Sequence, residues 1–580
     1  MRKISRVLAG LVVLAATIGG VGSPSPAQPV SDQSFGAYGS GATVGLNAVQ
    51  LGTTQVANVQ AAFAGQAVSS DGLTSPIVNE LGFAVQPPLD GDNAFGRGTG
   101  LEVGLVTPTP GIPDPNQILL AGLAEATAPP PSGLVTRQIG PVPLDPIAFA
   151  NLLRGQAQAT FDPRTCVVGQ PLAFGQGEAA NLQLLNTGGT GPNGELLAPV
   201  LGASLDPDRN VSQTRAYSYL AANGDGTFAV VSEVRQTVAP INLLDGAITV
   251  ELLGEWALRA IATGQPGGSR VEYAPVGAGP TTNVAVITIA GVPTTITLQQ
   301  LLGPGGLVID LAPLLTLRIG APARAIGSTG PTPLAADGTS AQGAVDVVQL
   351  SVLDAPGLSG LDLRVGHMEA AARAPSGGVR CEIPVSKSAD PDPVQVVNGS
   401  GETTVTISVP DPAADFDALF ACDLIGIRID DAHRVLEGNL DVRVISASNG
   451  GQVSADGKTV VWENLGNRAR GAPPLQVSVR VRITGTTAGR VEDTARVTAT
   501  LGNCQGGAAG QDLVGQASLD GQAISGEVTF RGPEVGGPVK RARDSLSRTG
   551  NDPLLPLAGG ALLLAGLGVR RRLVQRLPRS

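Results

Sequence analysis

The stretch Ile248-Thr249-Val250-Glu251-Leu252-Leu253-Gly254-Glu255-Trp256-Ala257-Leu258-Arg259 decides the fold class of this chain. Large apolar side chains alternate along it with polar or mixed ones, at Ile248, Val250, Leu252, Trp256 and Leu258. A period of two is typical of a strand with one buried face. The 580 residues also include 79 glycines and 45 prolines, too many for a mainly helical protein. We therefore predict an all-β fold with an aliphatic core, since aromatic residues make up only 3% of the chain.

Segments on both sides of this stretch have the same character. Residues 217–234 divide at Asn223-Gly224-Asp225-Gly226, a turn whose residues accept positive φ, so we predict a hairpin there. A second hairpin is predicted around Gly291-Val292-Pro293. Before them, an Asp145-Pro146 start followed by an apolar stripe to Leu153 predicts one helix. We assign residues 28–380 to one large antiparallel β domain with a sandwich architecture.

A second domain is predicted over residues 381–530. Strand-like runs follow one another with turns about every ten residues, which is typical of an immunoglobulin-like β-sandwich. Within it we interpret Asp430-Asp431 as a turn between two strands and His433 as a surface histidine in that turn. The phrases Thr484–Gly489 and Asp493–Ala499 resemble those of the Ig-like repeat domains of bacterial surface proteins.

Both ends of the chain carry targeting signals. Arg2, Lys3 and Arg6 precede an apolar run and the small-residue site Ser25-Pro26-Ala27, so residues 1–27 are predicted to be a secretory signal peptide. Residues 531–549 are predicted to form a spacer and sorting motif. Residues 550–580 contain the apolar run 553–569, long enough to span a membrane, and a triple arginine that marks the cytoplasmic side.

The sorting motif consists of Leu546, Ser547, Arg548, Thr549 and Gly550. It resembles the Leu-Pro-x-Thr-Gly signal that sortases cleave in wall-anchored proteins of Gram-positive bacteria, with Ser547 in place of proline. Residues 38–104 also resemble the start of the actinobacterial surface proteins called the choice-of-anchor G family. The resemblance implies an exported, cell-wall-anchored protein, with a sortase-like transpeptidase and peptidoglycan as partners. A plain C-terminal membrane anchor is the alternative.

The net charge of the chain and the motifs that its sequence lacks disfavour several classes of function. The formal net charge is −10, and without the leader (+3) and the tail (+4) it is −17, which disfavours nucleic acid as a partner. Neither a G-x-S-x-G elbow nor an H-E-x-x-H zinc motif occurs in the sequence. We expect a structural or adhesive protein without catalytic activity, cofactor or metal, and with an extracellular ligand that the sequence does not identify. The alternatives are a secreted enzyme with scattered carboxylates and a carbohydrate-binding module, which scarce aromatic residues disfavour.

Four cysteines in an exported chain predict two disulfides. We predict Cys422–Cys504 within the second domain and Cys166–Cys381 closing the first, because each domain is expected to fold as a unit. The other pairings would tie the two domains together.

Lys387 is one of three lysines in the mature chain and lies on the first predicted strand of the second domain. This position is similar to that of the lysine in isopeptide-forming pilin domains, which condenses with an Asn or Asp on the last strand. The resemblance implies Asp493 or Asn503 as the acceptor and Asp430 or Asp431 as the helping acid. The alternative is a surface lysine that protects an edge strand from aggregation.

Overall fold

The computed structural model describes residues 34–51, 54–87, 91–106, 118–144, 148–161, 170–180, 182–184, 200–201, 211–243, 248–303, 306–311, 315–352, 361–381, 383, 385–409, 422–469, 472–503 and 522–535. The predicted signal peptide, sorting motif and membrane segment lie outside these residues. Within them, no helix is long and apolar enough to cross a membrane.

The first domain contains the following elements in chain order: β1 (Gly36–Leu51), β2 (Thr54–Ser69), β3 (Ile77–Val78), β4 (Ala84–Gln86), β5 (Ala94–Val106), β6 (Ile118–Ala121), β7 (Ala124–Ala128), β8 (Val135–Ile139), β9 (Val142–Leu144), β10 (Ala148–Ala150), β11 (Leu152–Ala159), β12 (Ala173–Ala180), β13 (Gln183–Leu184), β14 (Val200–Leu201), β15 (Val211–Ala222), β16 (Phe228–Thr237), β17 (Ile241–Leu243), β18 (Ile248–Leu252), β19 (Trp256–Ala262), β20 (Arg270–Pro275), β21 (Asn283–Ile289), β22 (Val292–Thr297), α1 (Leu298–Leu301), β23 (Leu307–Leu311), β24 (Leu315–Ile319), β25 (Ser340–Val352) and β26 (Leu361–Arg373). The second domain contains β27 (Ser386–Asp390), β28 (Ser400–Val409), β29 (Asp423–Glu437), β30 (Leu440–Ala447), β31 (Gln452–Val453), β32 (Thr459–Trp462), β33 (Leu475–Gly485), β34 (Gly489–Gly502) and β35 (Ala523–Val535).

These elements confirm the predicted all-β fold. In the first domain, a nine-stranded sheet with the order β23-β24-β25-β26-β1-β2-β5-β6, in which β7 also pairs with β5, packs against a seven-stranded sheet with the order β20-β19-β16-β15-β12-β11-β8. Smaller sheets with the orders β14-β17-β18-β21-β22, β13-β10-β9 and β3-β4 complete it. Neighbouring strands are antiparallel throughout these sheets, as in β1–β2 and β15–β16.

Glycines let the two large sheets approach at backbone distance. A Cβ added to Gly98 on β5 would lie 1.9 Å from the carbonyl oxygen of Gln176 on β12, and one added to Gly177 would lie 2.2 Å from that of Phe63 on β2. No side chain fits between backbones at such distances, because non-bonded carbon atoms are optimally separated by about 3.5–4.0 Å. Close packing of small residues therefore replaces the bulky aromatic layer that the sequence lacks.

Both predicted hairpins are present, and the stretch from Ile248 to Arg259 is divided into two strands. The hairpins β15–β16 and β21–β22 form as predicted, the second around Ala290 and Gly291, which both have positive φ. The alternation from Ile248 to Arg259 is divided into β18 and β19. The two strands belong to different sheets, and the chain turns at Gly254, whose φ is 79°.

The predicted helix between Asp145 and Leu153 is wrong. Residues 145–147 lie outside the described part, and the remainder forms β10 and β11. Along Leu152–Ala159 every second residue is buried, so the segment has the period of a strand. Two consecutive leucines there satisfy a short helical stripe as well as a strand, and pairing on both sides with β8 and β12 selects the strand.

The second domain is a sandwich of a four-stranded sheet, β27-β28-β33-β30, and a five-stranded sheet, β31-β32-β29-β34-β35. Its last strand continues to Val535 by pairing with Gly489, so residues 531–535 belong to the sandwich and the predicted spacer begins later. A register shift between Arg490 and Glu492 accommodates Gly532 and Pro533, which explains why a Gly- and Pro-containing segment still forms an edge strand.

The cysteines at the junction and in the second domain are consistent with an oxidised chain. Cys381 and Cys422 are both buried and disulfide-bonded. Their predicted partners, Cys166 and Cys504, lie outside the described residues, so the pairing stays a prediction. Asp423 pairs with Gly502, which brings Cys422 to the end of β34 that leads to Cys504.

Candidate functional site

The interior of the second sandwich contains four ionisable side chains, Lys387, Asp431, His433 and Asp493, which we call the Lys387 cluster. Asp431 and His433 lie on the inward face of β29, where they continue the buried series that begins with Ile427 and Ile429. The segment 430–431 is therefore the middle of a strand and not the predicted turn. His433, expected at the surface, is 5% exposed.

Strand register brings Asp493 to the same place. His433 and Asp493 are directly opposite each other on the antiparallel strands β29 and β34. On β34 the inward series is Val491, Asp493 and Ala495, so the carboxylate again takes a position that hydrophobic residues occupy on either side. Side chains of directly opposed residues are close neighbours, so the two strands by themselves place Asp431, His433 and Asp493 on one patch.

Lys387 reaches this patch from the other sheet. It lies on β27 and its side chain is fully buried, with 0% exposed. Its Nζ atom is 2.5 Å from Oδ1 of Asp431 and also donates to Oδ1 of Asp493. The lysine thus connects the two sheets of the sandwich, and it is not the surface residue of an edge strand that the alternative reading expected.

His433 faces both carboxylates. Its Nδ1 atom is 3.2 Å from Oδ1 of Asp493 and its Nε2 atom is 3.3 Å from Oδ2 of Asp431. Oδ2 of Asp493, Oδ2 of Asp431 and Nε2 of His433 are buried and have no hydrogen-bond partner. Each of the four groups therefore contacts two others, and each carboxylate retains one oxygen without a hydrogen-bond donor.

The environment shifts the pKa values of the two carboxylates in opposite directions. Burial acts to raise the pKa of Asp431, but His433 and Lys387 outweigh it and hold that pKa below its ordinary value. Burial, together with the charge of Asp431, raises the pKa of Asp493. Burial acts to lower the pKa of His433, but the two carboxylates outweigh it and raise the pKa to about 9. Asp493 is therefore the carboxyl group that carries a proton more readily, and Asp431 the one that stays ionised.

This arrangement has the parts needed to form an amide. A lysine amine contacts a carboxyl group whose pKa is raised by burial, and a second carboxylate, whose pKa is lowered, contacts the same amine. The cluster also brings three oxygen and nitrogen ligand atoms together, as a metal site would. However, the Lys387 ammonium already occupies the space between the carboxylates, so these donors do not fit a cation.

The other predicted residues of this site are elsewhere. Asn503, the second candidate acceptor, is exposed and donates from Nδ2 to Oδ2 of Asp423 at 2.8 Å. Asp430, the second candidate helper, lies on the opposite face of β29 and pairs with Arg428 at 2.7 Å. The structure therefore brings together Lys387, Asp493 and Asp431, and leaves Asn503 and Asp430 outside.

Sequence reasoning missed His433 as a member of the site. The signal that could have identified it is the alternation itself, since Ile427, Ile429, Asp431, His433 and Val435 follow one another at a period of two. An acid and a histidine that occupy consecutive inward positions of a strand must be buried, and buried polar groups need partners.

A second buried cluster lies in the first domain and consists of Tyr38, Glu80, Arg324, Asp346, Arg364, His367 and Glu369; we call it the His367 cluster. His367 is fully buried on β26, with Nδ1 2.7 Å from Oδ1 of Asp346 and Nε2 2.8 Å from Oε1 of Glu369. Burial acts to lower the pKa of His367, but Asp346 and Glu369 outweigh it and raise the pKa to about 9.

Every carboxylate of the His367 cluster has further donors. Glu369 accepts from the hydroxyl of Tyr38 at 2.5 Å and from the backbone N–H of Glu80 at 2.7 Å. Arg324 donates to both oxygens of Glu80, at 2.5 and 2.6 Å, and to Asp346 at 3.1 Å. An adjoining cleft of about 880 Å³ is lined by several of these residues. Its two carboxylates, Glu80 and Asp346, are held by arginine, which leaves neither ready to act as a general acid.

Comparison with known proteins provides no family. No family model matches the chain, and no curated protein matches it. Among solved structures, the N-terminal domain of the Streptococcus gordonii adhesin Sgo0707 aligns at 9% identity over 70% of this chain and 89% of that chain, with a TM-score of 0.16. Escherichia coli alpha-2-macroglobulin activated by porcine elastase aligns at 12% identity over 81% of this chain and 51% of that chain, with a TM-score of 0.12. Neither TM-score is high enough to carry an argument about fold or function.

Proposed function

We propose that this chain is an exported surface protein with a structural or adhesive role, and that an amide bond between Lys387 and Asp493 braces its second domain. The Lys387 cluster carries the proposal. A fully buried lysine contacts two carboxylates from the opposite sheet, and burial raises the pKa of one of them, Asp493. The amide forms once in each chain, so the proposed reaction is a single internal step without turnover.

The proposed bond is an internal condensation. The amine nitrogen of Lys387 attacks Cγ of Asp493, one oxygen of Asp493 leaves as water, and an amide remains. Burial supports it, because a charged lysine and a charged carboxylate both lose hydration in the sandwich, whereas a neutral amide does not need to be ionised there. Proximity supports it as well, since groups held in contact react as if at very high concentration.

The position of the bond fits a protein that bears load. β27 directly follows the junction with the first domain, and β34 pairs with β35, the last described strand before the tail. A bond from Lys387 to Asp493 joins the two sheets and encloses the chain between them. Tension between a C-terminal anchor and the first domain would then pass through the bond and would not extend the residues between 387 and 493.

Intact mass tests the bond. The mature chain should be lighter than the sum of its residues, corrected for disulfides, by the mass of one water. Lys387→Met should abolish this difference, whereas Lys458→Met, at an exposed lysine of the same domain, should retain it. A full mass in the wild-type chain would contradict the proposal, and a cross-linked peptide that joins Lys387 to Asp431 would show that the acceptor is wrong.

Anchoring is part of the same proposal. Resemblance to sortase substrates and to the choice-of-anchor G family supports cleavage after Thr549 and transfer to peptidoglycan, following retention on the membrane through residues 553–569. Thr549→Ala should leave the protein extractable by detergent, whereas wild-type protein should need a wall hydrolase. Release of intact wild-type chain by detergent alone would instead support a plain membrane anchor.

A further inference from the structure

His433 occupies a position between the two carboxylates that amide formation alone does not require. One ring nitrogen lies 3.2 Å from Asp493 and the other lies 3.3 Å from Asp431. Asp431 in turn contacts Lys387 through its other oxygen. The contacts therefore form a closed path from the lysine amine through Asp431 and His433 to the carboxyl oxygen of Asp493.

His433 balances the charge of the buried carboxylates before and after the reaction. Before condensation, two cationic groups, Lys387 and His433, face two carboxylates. Condensation removes one positive and one negative charge, because Lys387 and Asp493 become an amide. His433 and Asp431 then remain as a neutral pair, whereas without the histidine Asp431 would be an uncompensated buried charge.

We propose that His433 is a catalytic residue of the Lys387–Asp493 condensation, acting as the general acid while Asp431 acts as the base. This inference rests on the proposed function. His433 qualifies because its Nδ1 atom contacts Oδ1 of Asp493, one of the reacting atoms. Oδ2 of Asp493, which has no hydrogen-bond partner, becomes the amide oxygen.

The proton balance of the step is complete within the cluster. Asp431 takes a proton from the Lys387 ammonium, and the free amine attacks Cγ of Asp493. His433 gives its proton to Oδ1, which becomes a hydroxyl group. Asp431 passes the first ammonium proton to His433 and so restores it. The nitrogen then loses a second proton through Asp431 and His433, and this proton converts the hydroxyl to water as the bond between Cγ and Oδ1 breaks. Two of the three ammonium protons leave as water, one stays on the amide, and both Asp431 and His433 end as they began.

Asp431 on its own strand β29 and Asp493 on β34 face His433, and Lys387 on β27 contacts both of these carboxylates. The two carboxylates keep the pKa of His433 near 9, so it carries the proton to be donated at neutral pH. Above about pH 9 this proton is lost and the reaction should slow. A general acid contributes roughly 10²–10⁴-fold to a rate.

Refolding of the full chain tests the inference. Chain collected from inclusion bodies in guanidinium chloride has not yet formed the site; it is diluted into buffers from about pH 6 to about pH 10, and its mass and circular dichroism are followed with time. Wild-type chain should lose one water at a rate that falls above about pH 9. His433→Gln should fold but lose water at least roughly a hundred-fold more slowly, without that alkaline fall.

Each outcome distinguishes the two proposals. If wild-type chain condenses and His433→Gln condenses equally fast with the same pH profile, the role of His433 is wrong and the proposed bond stands. If wild-type chain folds and never loses water, both fail. Should His433→Gln not fold, the wild-type profile decides, because a rate that stays constant or rises through about pH 10 would overturn the acid role of His433.

Discussion

The two sandwiches of this protein bury the same motif, a histidine between two carboxylates, in two different settings. In the His367 cluster the remaining partners are arginines and a tyrosine, and Glu369 accepts from three groups. In the Lys387 cluster the remaining partner is a lysine, and Asp431 and Asp493 each keep one oxygen without a donor. A guanidinium group is not deprotonated in proteins, whereas a lysine amine can lose its proton and act as a nucleophile.

Burial and charge pairing do not by themselves make a site reactive. Both histidines have a pKa raised to about 9 by neighbouring carboxylates. Only the second site adds an amine and an incompletely hydrogen-bonded acid. The first sandwich adds ion pairs and glycine-mediated contact of its sheets to its apolar core, while we propose a covalent bond between the sheets of the second.

The largest effect should come from making the second cluster resemble the first. Lys387→Arg keeps a cation between Asp431 and Asp493 but removes the nucleophile. By analogy with a disulfide that closes a loop of about 100 residues, losing the bond should cost about 5 kcal/mol of unfolding free energy. Unfolding in guanidinium chloride measures this free energy, and hydrogen exchange of the amides of β29 and β34 locates the loss in the second domain.

The matched control for this change is Lys458→Arg, at an exposed site of the same domain. It should leave the unfolding free energy within about 0.5 kcal/mol of wild type. A Lys387→Arg chain as stable as wild type would mean that the second sandwich, like the first, has no covalent bond between its sheets at this site.

The next effect concerns pH and the first sandwich. The pKa of His367 is raised from 6.5 to about 9 in the folded chain, so the folded chain binds the imidazole proton more tightly than the unfolded chain does. Protonated His367 therefore contributes about 3 kcal/mol to the free energy of unfolding. This contribution is complete below about pH 6.5 and is lost as the pH rises through about 9. Unfolding of the first domain should show this loss, and His367→Gln should remove it. An unchanged slope in the variant would exclude His367 as its source.

A smaller effect is expected at the contact between the two large sheets. Gly98→Ala would place a methyl group 1.9 Å from the carbonyl oxygen of Gln176, so the sheets must separate, at a cost of about 2–3 kcal/mol. Gly140→Ala is the control, because an added Cβ there meets nothing within 4 Å. Thermal unfolding of the two variants compares them, and equal melting temperatures would show that the sheets are not held by this contact.

The smallest effect tests the choice of acceptor. Asn503→Gly removes the exposed hydrogen bond to Asp423, while glycine suits the φ of 52° at this position. The unfolding free energy should change by less than about 0.5 kcal/mol, and the mass should still be lower by one water. A wild-type chain lighter by one ammonia, with this difference lost in Asn503→Gly, would assign the acceptor role to Asn503 and not to Asp493.

Much of the candidate site was accessible from the sequence, but not all of it. Lys387, Asp431 and Asp493 could be named because one of the few lysines of the chain lies near the start of a strand-rich domain, as in cross-linking domains. His433 was misplaced because Asp430-Asp431 looks like a turn, although β29 continues through it. Two adjacent acids lower the strand propensity of a segment, and pairing with β34 on one side and β32 on the other overcomes it.

The sequence by itself determined the fold class and the side of each strand on which a residue lies. Alternation decides that Asp431 and His433 point the same way as Ile429, because successive strand residues point to opposite faces. Only the tertiary structure decided which groups meet. Lys387 is brought to Asp493 by the register of β29 with β34 and by the packing of one sheet on another. These contacts join residues far apart in the chain, and a local pattern carries no information about which strand will lie opposite.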